Sequence, residues 1–129
     1  MNSLEQFLAL PDVDNIVEEV FVSKRIGTVK VKAMTQREFR DYQRKAQGKL
    51  NKNGVDFDVS KFNLAMVAGQ TVEPDFSNAE LLKKCNCIDA EQLITKKLLA
   101  GEIAELSKKI QEISGFDNEI EDDLEEAKN

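Results

Sequence analysis

A chain of 129 residues, 41% hydrophobic and 33% charged, has the size and composition of one globular domain with a single core. It contains no histidine, which excludes Ser-His-Asp and Cys-His catalysis, imidazole acid–base chemistry and histidine metal sites. The formal net charge of −6 is segregated, with five acids and no base in residues 1–23, ten bases and two acids in 24–52, seven bases and ten acids in 53–115, and one base and seven acids in 116–129. The first 115 residues are therefore neutral as a set, and a terminal block of like charge is the pattern of an interaction tail.

Taken in chain order, Ser3 to Leu10 places Leu4, Phe7 and Leu8 at helical spacing, and Pro11 stops the run, so a short helix with a small core stripe is expected. NIVEEVFVS is rich in β-branched residues, and TVKVKAM alternates, setting Val29, Val31 and Ala33 against Lys30 and Lys32. With SKRIG between them, the two read as a β-hairpin half exposed to water. Thr35-Gln36-Arg37-Glu38 has the form of a capping box, so a helix is expected from about Gln36 to Lys49. Its apolar side is thin, with Phe39 and Tyr42 near Ala46, while Arg37, Arg40, Arg44 and Lys45 occupy the other faces. Gly48 and LNKNG read as a polar loop.

FNLAMVAGQTV reads as a core helix carrying Phe62, Met66 and Val67, ended by the TVEPDF turn. Ser77-Asn78-Ala79-Glu80 reads as a second capping box opening a short helix to about Cys85. Asp89-Ala90-Glu91-Gln92 opens the next, with Leu93, Ile94 and Leu98 inward, and Gly101 reads as a break. A last strong helix is expected from about Glu102 to Ser114, with Ile103, Leu106, Ile110 and Ile113 on one stripe and Gly115 as its left-handed C′ residue. The fold class expected is α+β: a mostly helical single domain with an N-terminal hairpin, folded over 1–115, followed by an acidic amphipathic segment over 116–129.

Sites of chemistry are scarce. No stretch nears the roughly 18 apolar residues of a membrane span, and MNSLEQFLALPDVD lacks the basic start and apolar run of a signal peptide, so a cytoplasmic location is expected. Cys85 and Cys87 stand too close for an unstrained disulfide and supply only two of the four ligands of a closed zinc site, so they read as ordinary thiols. Asp56-Phe57-Asp58-Val59-Ser60 begins like an EF-hand loop but has Lys61 where glycine is required and Val67 where the bidentate acid belongs. Asp122 and Asp123 offer carboxylates for a metal-assisted enzyme, but helical neighbours do not face each other, and solvated acids are the preferred reading. The alternative function is a small nucleic-acid-binding or regulatory protein using the basic face of 24–52. Few aromatic residues accompany those bases, which favours a solvated face or a seat for an acidic partner.

In the acidic end, Phe116, Ile120, Leu124 and Ala127 fall at i, i+4, i+8 and i+11, a single stripe on a helix. The candidate partner-binding residues are these four with Asp117 and Glu121: the stripe would lie in a helical groove while the acids keep the free chain soluble. Phe116 is expected to fold back on the body, leaving Ile120 to Ala127 for a partner.

The order of VEEVFVSKR, AMTQREF, VEPDFSNAELL, LLAGEIAELSKKIQEISGFD and DLEEAKN resembles the XkdN-like family of phage tail assembly chaperones over nearly the whole chain. No catalytic signature is among these stretches, and the short SKRIG turn departs from the longer loop of relatives. The resemblance implies a non-catalytic protein of the phage-infected or prophage-bearing cell, without a cofactor. Its implied partners are the tape measure protein, which it keeps soluble, and the tail tube protein, whose subunits it helps recruit.

Overall fold

The computed structural model describes residues 2–52 and 54–116. The first element, α1 (Ser3–Ala9), is capped by Asn2, whose side chain accepts from the Glu5 N–H at 2.8 Å. A turn of 3-10 helix at Val13–Asn15 leads into β1 (Val17–Ser23), which pairs antiparallel with β2 (Gly27–Lys32) from Val17↔Lys32 to Ser23↔Gly27. Gly27 closes the tight turn at φ +82°. The alternation read from the sequence holds here: Val29, Val31 and Ala33 are buried, while Lys30 and Lys32 stay at the surface margin.

Helix α2 (Gln36–Ala46) opens with a complete capping box, the Thr35 hydroxyl accepting from the Glu38 N–H and the Glu38 carboxylate from the Thr35 N–H. It ends three residues short of Lys49, because the expected polar loop is a second hairpin, β3 (Gln47–Asn51) with β4 (Gly54–Phe57). Gly54, the glycine of an asparagine-glycine pair, supplies the turn conformation at φ +107°.

Asp58 caps α3 (Val59–Gln70), the central helix, which buries Phe62, Ala65, Met66, Val67 and Gln70. The TVEPDF stretch is more than a turn, since β5 (Thr71–Glu73) pairs with β2 and completes a three-stranded sheet in the order β1-β2-β5. Asn78, one residue later than the expected cap, starts α4 (Ala79–Lys84), and Asp89 caps α5 (Ala90–Lys97) as read. Gly101 does not break the chain; it lies in the first turn of α6 (Ala100–Ile113), where no neighbour crowds it and a helix interior has not yet formed.

The core lies between the Val29–Val31 face of the sheet and the helices α2, α3, α5 and α6, with Leu106 and Ile110 of α6 fully enclosed. Each such side chain contributes about 1.5–3 kcal/mol by leaving water. Of the buried polar residues Gln70, Thr71, Glu102 and Ser107, two tie helices of the core together. Gln70 donates from Nε2 to the Lys32 and Ala33 carbonyls at 3.2 and 3.1 Å and accepts from the Tyr42 hydroxyl, tying α3 to β2 and α2. The Ser107 hydroxyl donates to Asn63 Oδ1 at 2.8 Å, tying α6 to α3. Gly69 lets the Tyr42 hydroxyl approach so closely that an added Cβ would stand 2.0 Å from it.

Candidate functional site

Of the sequence-derived partner residues, only Phe116 belongs to the described part; Asp117, Ile120, Glu121, Leu124 and Ala127 lie outside the described residues. What the structure fixes is the base of that segment. After α6 the chain makes a Schellman turn: the Phe116 N–H donates to the Gln111 carbonyl at 2.9 Å and the Gly115 N–H to the Glu112 carbonyl at 3.2 Å, with Gly115 at φ +98°. Ser114 pins the same turn from the other side, since its hydroxyl accepts from the Met34 N–H at 2.9 Å and donates to the Ile110 carbonyl at 2.6 Å.

Phe116 then rests on the body as expected. Its ring centroid lies 4.9 Å from that of Phe39 on α2, with the side chain still 41% exposed. Phe39 meets Phe62 of α3 edge-on at 5.7 Å, and Phe62 meets Phe57 of β4 at 5.5 Å, so one aromatic row runs from the second hairpin to the exit of the acidic segment. Such pairs are worth about 0.5–1.5 kcal/mol beyond the area they bury.

The basic stretch 24–52 is sorted by the fold into bases with partners and bases without. Arg25 meets Glu102 at 2.6 Å, Lys30 meets Glu73 at 3.5 Å, and Lys32 lies 3.6 Å from Glu38 and 3.8 Å from Asp14. Arg44 meets Asp41 at 3.6 Å on the open surface. Lys24, Arg37, Arg40, Lys45 and Lys52 have no ion-pair partner among the described residues, and all five are exposed. A shallow groove along α2 is lined by Gln36, Arg37, Arg40, Asp41 and Arg44.

Glu102 is a structural acid. It is buried, and its carboxylate accepts from Arg25, from the Ser23 hydroxyl at 2.6 Å and from the Leu99 N–H at 2.7 Å; these bonds, Arg25 foremost, hold its pKa down to about 2. Burial pushes the Tyr42 hydroxyl above its ordinary range, and the charges of Glu38 and Asp41 add to the effect. Among the described residues no three of His, Cys, Asp and Glu sit together as a metal site, and no helix is long and apolar enough to cross a membrane. Cys85 and Cys87 are both free and half-buried.

One surface was not anticipated. The expected core stripe of α1 buries nothing: Leu4, Phe7 and Leu8 are 67, 74 and 75% exposed. The sequence signal was the amphipathic spacing itself, which marks an apolar face without saying whether this chain or another covers it.

The sequence pattern of the phage XkdN-like tail assembly chaperone proteins matches residues 4–128. The chain belongs to that family. Among its XkdN-like relatives is the phage-like element PBSX protein XkdN of Bacillus subtilis (strain 168), 28% identical over 110 residues that make up 84% of this chain and 72% of that one. The fold is also that of the protein yqbn, whose crystal structure is 24% identical and superimposes with a TM-score of 0.67 over 91% of this chain and 99% of the other. The XkdN-like family is one of chaperones for phage tail assembly.

Proposed function

We propose that this chaperone binds the tape measure protein of its phage or prophage, keeps it soluble in the host cytoplasm and helps bring tail tube subunits to it, without catalysis. The observation that carries the reading is the extent of the family match. It continues to residue 128, so the acidic end belongs to the shared chaperone pattern rather than being a foreign appendage. A tape measure protein is expected to be long and helical with exposed apolar stripes. Ile120, Leu124 and Ala127 provide an apolar line for such a stripe, and the surrounding acids oppose self-association of the free chain. The Schellman turn and the Phe39 seat for Phe116 support this assignment by giving the segment a fixed root.

Co-expression with the tape measure protein from the same genome tests it. The native chain is expected to carry that protein into the soluble fraction, and I120D/L124D, which leaves the described body untouched, is expected to lose most of the capture. Equal capture by both chains would remove the handle from residues 120–127. No capture by the native chain would overturn the client assignment.

A further inference from the structure

We propose that the outward face of α2 built by Arg37, Arg40 and Arg44 is the docking surface for this chain's own acidic residues 117–126. The first ground is charge left over by the fold. The other arginine and two of the three lysines of the N-terminal hairpin are held by Glu102, Glu73, Glu38 and Asp14, whereas Arg37 and Arg40, which line one groove of α2, have no ion-pair partner among the described residues. Asp41 answers only Arg44 in that groove, at 3.6 Å. Seven acids in residues 117–126 are the matching excess, in a chain whose first 115 residues are neutral as a set.

The second ground is where the acids begin. Phe116 is seated on Phe39 of this same helix, and Ser114 fastens the preceding turn to Met34, one residue before the Thr35 cap of α2. Helix α2 is eleven residues, about 16 Å long, and the ten residues from 117 to 126 span up to about 33 Å when extended, so the acids reach every arginine of the face. A tether this short gives an effective concentration on the order of millimolar, at which contacts too weak to hold two separate molecules are populated within one.

Docking on α2 would hold the acidic segment against the body until a partner takes it, but the contact itself does not depend on the tape measure reading. The test contains no client, so its failure and the failure of that reading are distinguishable. Backbone amide NMR of the full-length 15N-labelled chain would be followed as NaCl rises from about 0.01 to about 1 M, shortening the Debye length from about 30 to about 3 Å. The amides of 37–44 and those of 117–126 are expected to shift together, at the same salt and at every protein concentration. E121K/D122K/D123K, changed outside the described body, is expected to give at low salt the α2 signals of the native chain at high salt. R37E/R40E is expected to do the same for the 117–126 signals. Native α2 signals in E121K/D122K/D123K at low salt would overturn the proposal. So would a shift that grows with protein concentration, which would assign the face to a second copy.

Discussion

At the scale of single residues, two polar groups carry more of the fold than their number implies. The Gln70 amide uses its oxygen and both hydrogens inside the core, so Tyr42→Phe leaves Oε1 with no partner. An orphaned buried acceptor costs about 1–3 kcal/mol, and the urea midpoint of Y42F is expected to fall by that much stability with an unchanged denaturant slope. Glu102 gives a pH signature instead. Its folded pKa of about 2 lies below the ordinary 4.5, so the unfolded chain takes up the proton first; the stabilisation is complete above pH 4.5 and is lost as pH falls towards 2. Thermal melts of the native chain and E102Q should therefore differ most above pH 4.5 and converge towards pH 2. A gap that widened on acidification would show that the Arg25 and Ser23 bonds do not hold this carboxylate charged.

At the scale of elements, α1 is the one that its own fold does not explain. A seven-residue helix with a side-chain cap and no buried residue gains little from this body, and isolated helices of that length are marginal in water. F7E/L8E is expected to change stability by no more than about 0.5 kcal/mol, as for other surface substitutions. A large loss of stability would mean that α1 packs on the body in solution. The C-terminal elements behave in the opposite way: α6 is fastened at both ends, by Glu102 to the hairpin turn and by Ser114 to the start of α2.

At the scale of the molecule, the local signals were legible and the distant ones were not. The α2 capping box, the Asp89 cap, the alternation of Val29 and Val31 and the left-handed Gly115 each depend on residues within a few positions, and each is where the sequence puts it. The second hairpin was hidden because its strands are only five and four residues long, and β5 because three residues make no period. Glu102 reads as a surface acid until Ser23 and Arg25, 79 and 77 residues earlier, are folded beside it. The seat of Phe116 on the body was expected, but Phe39 as its partner needed the tertiary fold. The basic stretch looked like one positive surface, and only the ion pairs separate Arg25, Lys30, Lys32 and Arg44 from the bases without a partner among the described residues.

The single tyrosine has a practical consequence. With no tryptophan in the chain, Tyr42 is its dominant ultraviolet chromophore, and it stands between α2 and α3, bonded to Gln70 and one helical turn from Phe39. The protein thus comes with an unlabelled optical reporter placed beneath the arginine face. Its near-ultraviolet dichroism reports whether α2 is seated. Because burial opposes ionisation of the phenol, the tyrosinate band on alkaline titration should rise only as the helix lets go.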